Sequence, residues 1–197
     1  MKVLVIGAHA DDPEVSMGGT ISKLTKSGHE VELLICIIPQ ESRDGSIIKN
    51  AKQERLDYQK ESAKRLNCKI TLLDMDPYSF SFNRELVKKI DNVMVKSCPA
   101  ARKNDISVLM YEQLTLGGIT PTSFNGHVYI DISDSIEEKI ESVKCYKFLK
   151  DSDMEAIIAL ARFRGNQIGV KYAECFQVCK IISNVSDKGL DIGKVFL

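Results

Sequence analysis

This chain carries no net charge: 27 Lys and Arg stand against 27 Asp and Glu, with no basic stripe along its 197 residues. That balance argues against nucleic acid or an anionic membrane surface as the main partner. No apolar run approaches membrane-spanning length, and only Lys2 separates the first Met from an apolar stretch shorter than a signal-peptide core. The expected location is therefore the cytoplasm. Paired cysteines are missing too. Cys36, Cys68, Cys98, Cys145, Cys175 and Cys179 are scattered singly, so a disulfide framework is not expected and buried free thiols are. Cys175 and Cys179 have no second Cys or His pair to complete a metal site. No repeat, low-complexity tract or linker interrupts the sequence. With 44% hydrophobic residues, residues 1–197 are expected to form one domain around one core.

What the chain does have is concentrated near its start. The apolar run Val3-Leu4-Val5-Ile6 stops at Gly7, and His9, Asp11, Asp12 and Glu14 follow at once, then Gly18-Gly19-Thr20. An uninterrupted β-branched run suits a strand buried on both faces of a parallel α/β sheet, and ligands in such sheets bind beyond the strands' carboxyl ends. An imidazole and a carboxylate suit zinc, and a catalytic zinc takes three protein ligands with one place left for water. His9 and Asp12 are the candidate metal ligands. Asp11, between them, is the candidate general base on the water the metal holds. Asp11, Asp12 and Ser16 could instead simply cap the following helix. Capping accounts for one or two acids, but not for a histidine with three. A dinucleotide site is excluded, because Gly7-Ala8-His9 is not Gly-x-Gly and acids crowd the place of the pyrophosphate.

Beyond this stretch, Met17, Ile21 and Leu24 recur at helical spacing up to a stop at Ser27-Gly28. His29 falls in the turn at the far end from the site and reads as a surface residue. Val31 to Ile38 predicts a second strand, and residues 39–50 a polar rim loop. Residues 51–67 read as a charged helix with Leu56, Ala63 and Leu66 inward. Strands are expected at 70–73, 106–111 and 128–132, and helices around 86–94, at 136–150 and at 153–163. A closing strand is expected at 175–182. This alternation predicts an α/β fold with a mainly parallel sheet.

His9-x-Asp11-Asp12-x-Glu14 with Gly18-Gly19-Thr20, straight after a first strand, resembles the signature of the LmbE-like, or PIG-L, family of zinc-dependent N-deacetylases. The resemblance continues through Glu54-Arg55-Leu56 to Leu66, Met110-Tyr111-Glu112-Gln113, Tyr129 to Ser133, and Arg164-Gly165 to Phe176, and so covers nearly the whole chain. It implies a Rossmann-like, three-layer α/β/α fold with helices on both faces of the sheet. It also implies Zn2+ as cofactor and hydrolysis of the acetamide of an N-acetylglucosamine-type sugar or conjugate. Arg55 falls where the family places a substrate-contacting arginine; the other reading is a surface ion-pair partner. Glu14 is expected to orient the other groups rather than react. A homo-oligomer is in keeping with such relatives.

The resemblance breaks in three places. The family normally has a further strand, a loop with His-x-Asp-His that supplies the third zinc ligand, and a helix, where this chain runs from Lys96-Ser97-Cys98-Pro99 straight into Ala100-Ala101-Arg102. Either the sequence omits that segment between Pro99 and Ala100, or the protein lacks it and is an impaired relative that binds sugar or serves in assembly. His127 is then the one remaining histidine candidate for the third ligand, set in a turn before a strand. Tyr58 replaces a usual glutamate, and Cys145 to Leu149 departs from a usual Ser-Gln ending, so substrate-side contacts differ.

Overall fold

The computed structural model describes residues 1–41, 46–76, 84–97, 106–113, 124–181, 184–186 and 189–191. The element order is β1 (Lys2–His9), α1 (Asp12–Lys26), β2 (Glu30–Ile37), α2 (Ala51–Arg65), β3 (Lys69–Leu72), α3 (Arg84–Ser97), β4 (Val108–Tyr111), β5 (Val128–Asp131), α4 (Ile136–Val143), α5 (Asp151–Gln167), β6 (Ala173–Lys180), β7 (Asn184–Ser186) and β8 (Gly189–Asp191). The architecture is Rossmann-like α/β, in accord with a three-layer arrangement. Residues 77–83 of the expected loop after β3, the rim-loop residues 42–45 and the Pro99–Ala100 junction lie outside the described residues.

The strands form two main groups. β1, β2 and β3 make a parallel sheet in that order, with Ile6 opposite Leu34 and His9 opposite Ile37. Leu33, Leu34 and Ile35 of β2 are wholly buried, as an unbroken apolar run in a central parallel strand requires. The second group runs β4-β6-β5, with β6 antiparallel to both neighbours. The expected closing strand is therefore a central one. It starts at Ala173, two residues earlier than the apolar pattern suggested, because Ala173 and Glu174 are buried against other elements. The expected helix over 136–150 ends at Val143. From there Cys145 and Tyr146 turn inward and bury their side chains, which the helical path would not allow.

Helix α1 sets the relation between the two groups. It is broken at Met17, where φ is −140° and ψ is 25°. A break in the ladder frees the amides just after it, as at any helix N-terminus. Two of them find one acceptor: Gly19 N–H and Thr20 N–H donate to the Glu174 carboxylate at 3.0 and 2.7 Å. Lys139 Nζ of α4 completes the junction at 2.5 Å from Glu174 Oε1. The side chains of Lys139 and Glu174 are 3% and 2% exposed, so this ion pair is shut away from water. Gly19 is needed for the approach, since a Cβ there would lie 2.8 Å from Ile132 Cβ. Around the junction, Val5, Met17, Ile21, Leu24, Tyr146 and Phe176 share one core.

Taking away one partner of a buried pair leaves a charge with no compensation, which costs about 3–5 kcal/mol. Lys139→Met is expected to lower unfolding stability by roughly that amount, read as a shift in the urea midpoint at unchanged m-value. A loss under about 1 kcal/mol would mean that the pair matters little to α1.

Candidate active site

β1 delivers His9 to its carboxyl end, and the chain turns at once into α1. Asp11 makes that turn with φ 91° and ψ −33°, a left-handed conformation for a residue with a side chain. Such strain costs on the order of 1–3 kcal/mol and tends to occur at functional sites. The Asp11 carbonyl accepts the first helical hydrogen bond, from Val15 N–H at 2.9 Å. Its carboxylate does not cap the helix, so the capping alternative does not describe Asp11. Asp12 turns its carboxylate back instead. Its Oδ2 accepts from His9 N–H at 2.8 Å and lies 3.6 Å from His9 Nδ1.

That spacing suits two donors to one metal ion. Zinc bonded at about 2.0–2.1 Å sets neighbouring tetrahedral ligands roughly 3.3–3.4 Å apart. A ring nitrogen with a carboxylate oxygen is also the right donor chemistry. Among the described residues, no group of three His, Cys, Asp or Glu side chains converges for a metal. His127 is engaged elsewhere: its Nδ1 accepts from Val178 N–H at 3.0 Å, and its own N–H donates to the Phe176 carbonyl at 2.8 Å. It fastens the start of β5 to β6.

The acids crowd one another. Burial pushes the Asp11 carboxyl up to about 7, with Asp12 and Glu14 adding to the rise. The hydrogen bond to Asp12 raises His9 above its ordinary range, against the effect of burial. Glu14 is wholly buried, and burial holds its carboxyl above the usual carboxylate range. Gln59 Nε2 donates to Glu14 Oε1 at 2.7 Å. The Ser62 and Tyr146 hydroxyls lie beside the same carboxyl and favour its charge, although neither makes a well-aligned hydrogen bond to Oε2. Gln59 and Ser62 escaped the sequence reading. Their signal was the stripe Arg55, Gln59, Ser62, Leu66, which follows one face of α2 and ends on a core leucine.

Arg55 belongs to this neighbourhood. Its Nη2 donates to the Glu41 carbonyl at 2.6 Å, its guanidinium lies 4.8 Å from the Phe148 ring centroid, and its charge acts on Asp11. Tyr58, in place of the usual glutamate, packs near the same Phe148 ring at 6.4 Å. On the other side, Tyr111 donates its hydroxyl to the Ile6 carbonyl at 2.8 Å, and Glu112 beyond it takes a bidentate contact from Arg164, with Nε to Oε2 at 2.7 Å. His29 stands at the opposite end of β1, with Nδ1 3.0 Å from the Met1 ammonium.

Asp11 titrates higher in the folded chain than unfolded, so the metal-free fold binds its proton more tightly and loses stability as pH rises from about 4 to 7. Asp11→Asn is expected to flatten that part of a stability–pH curve measured in chelator; an unchanged slope would exclude Asp11 as its source. Gln59→Leu, which strips a donor from buried Glu14, is expected to cost about 1–3 kcal/mol in urea unfolding. The loss should shrink when Glu14 is also replaced by Gln.

Comparisons with known proteins bear on what this arrangement does. The profile of the family described as PIG-L, GlcNAc-PI de-N-acetylase, matches residues 4–113. The diacetylchitobiose deacetylase of Thermococcus kodakarensis is 28% identical over 216 aligned positions, covering 88% of this chain and 81% of that protein. That alignment is longer than the 197-residue chain, so the relative carries insertions that this chain lacks. Among solved structures, the N,N'-diacetylchitobiose deacetylase of Pyrococcus horikoshii superposes with a TM-score of 0.72 at 21% identity, covering 90% of this chain and 83% of the other. GalB, the 4-carboxy-2-hydroxymuconate hydratase of Pseudomonas putida, gives 0.78 at 16% identity, covering 94% and 100%. At such identities these superpositions establish the fold alone.

Proposed function

Because the chain belongs to the PIG-L, or LmbE-like, family of deacetylases, we propose that it is a zinc-dependent N-deacetylase acting on the acetamide of an N-acetylglucosamine-type sugar or conjugate. The observation that carries this reading is the pair of His9 Nδ1 and Asp12 Oδ2 at 3.6 Å with Asp11 between them in sequence. Residues 1–197 serve as a single catalytic domain. Among the described residues no helix is long and apolar enough to cross a membrane, and the charge balance suits a small neutral sugar better than a polyanion. The substrate named for the two deacetylases above, diacetylchitobiose, carries two such acetamides and is the natural first probe.

His9 and Asp12 would hold the metal as two of its ligands. The chemistry a bound zinc supplies is polarisation of the acetamide carbonyl and a lowered pKa for the attacking water. Asp11 takes the proton as the water oxygen bonds to the carbonyl carbon. That proton then goes to the departing nitrogen as the carbon–nitrogen bond breaks, giving acetate and a free amine. Glu14, buried and held by Gln59, steadies the first turn of α1 that carries both Asp11 and Asp12. Arg55, anchored on Phe148 and the Glu41 carbonyl, would bind a polar group of the sugar.

A second reading has its own observation. Among the described residues only two metal donors come together, and two ligands hold zinc weakly. A relative that binds sugar without hydrolysing it would show this. Acetate release from diacetylchitobiose, with added Zn2+ and then with chelator, separates the two. The deacetylase reading expects Asp11→Asn to lose at least about a hundredfold in kcat while still binding zinc, in line with the loss of a general base. It expects His9→Ala to lose zinc itself. Undiminished turnover in Asp11→Asn would overturn the assignment of the base, and glycan binding with no acetate release under any metal condition would favour the binding module.

A further inference from the structure

β1 carries the site, yet among the described residues only one of its edges joins a ladder. It pairs with β2 on one side, while β4 belongs to the other group of strands and shares no backbone pairing with it. One described hydrogen bond crosses between them: the Tyr111 hydroxyl, at the last position of β4, donates to the Ile6 carbonyl of β1 at 2.8 Å. Ile6 is three residues before His9, and Gly7, between them, lies buried against the Pro13 ring, where a Cβ would come within 2.8 Å of Pro13 Cδ. The Tyr111 ring is half-buried in the core cluster that contains Val5, Tyr146 and Phe176, so the hydroxyl is presented from a fixed base. On its other side Glu112 is clamped by Arg164, which holds the end of β4 in place.

We propose that Tyr111 is a positioning residue for the site: through its hydroxyl it fixes the backbone of β1 just before His9, and so sets the distance between His9 and Asp12. Burial raises the pKa of the Tyr111 hydroxyl, and the charges of Asp12, Glu14 and Asp11 add to the rise, in line with its place beside the site. Its hydrogen is already committed to the Ile6 carbonyl, so it acts on the metal ligands through the strand rather than on substrate. The inference rests on the metal-dependent reading above only for its consequence, not for its geometry.

Tyr111→Phe keeps the ring and removes the hydroxyl. A role in packing alone would leave this variant silent. The positioning role expects faster amide hydrogen exchange confined to the peptide spanning residues 6–10, with residues 31–36 of β2 unchanged as the internal reference. It expects zinc affinity of the chelator-stripped protein, measured by competition with a chromophoric chelator, to weaken about tenfold, as for other groups that orient metal ligands. It expects kcat for diacetylchitobiose to fall with KM held within about twofold. Unchanged exchange at residues 6–10, together with zinc affinity within twofold of wild type, would overturn the proposal. If wild-type protein itself neither binds zinc nor releases acetate, the deacetylase reading fails instead, and the exchange experiment still decides the role of Tyr111.

Discussion

The buried carboxylate of Glu174 is the fixed point of this molecule. It lies on a central strand, receives two amides freed by the break in α1, and takes the ammonium of Lys139 from α4. Three elements distant in sequence meet at one group that cannot be left without partners, because an uncompensated buried charge costs several kcal/mol. The break at Met17 is what makes the arrangement work. A continuous α1 would bond its own amides at Gly19 and Thr20, and the carboxylate would have nothing from the helix to accept. The glycine at 19 serves the same end, since only a residue without Cβ lets α1 come so near Ile132.

Upstream of the break, the first turn of α1 is free to serve chemistry. It holds Asp11 in a strained left-handed turn and aims Asp12 back at His9. Three carboxyl groups in so small a volume repel one another and draw protons onto themselves and onto the histidine beside them. Burial pushes Asp11 and Glu14 up, like charge adds to the rise at Asp11, and the neighbouring acid pushes His9 up as well. A divalent cation would relieve that crowding, which is the physical ground for the proposal that the cluster is a metal centre rather than a helix cap. Gln59 reaching Glu14 from α2 shows that the surrounding elements are shaped to hold this cluster.

A hydratase superposes on this chain at least as well as a deacetylase does, so the shared architecture serves more than one chemistry. Function depends on the groups that such a fold carries. In this chain they include a histidine, three acids and an arginine seated on an aromatic ring. The family relationship, rather than the superposition, connects this chain to amide hydrolysis.

Much of this was legible in the residues themselves. The unbroken run before Gly7 marked a strand and the cluster from His9 to Glu14 marked its functional end, because both signals are local. The expected burial on both faces did not hold, since Val5 is 4% exposed but Ile6, on the other face of β1, is 39% exposed. Helix spacing likewise located α1 and α2. The partners of the cluster were not legible. Gln59, Ser62 and Tyr146 reach Glu14 from α2 and from the turn after α4, and polar residues on a charged helix look like solvated surface until the packing turns them inward. Nor could local pattern order the strands. The place of β6 between β4 and β5 depends on long-range pairing, and its early start depends on Glu174 finding α1 and Lys139. The sequence by itself determined which side chains gather at the end of β1, since a strand followed at once by a helix leaves them nowhere else to go. Only the tertiary structure decided what holds them there, because hydrogen bonds and ion pairs between distant segments exist only once the chain has folded.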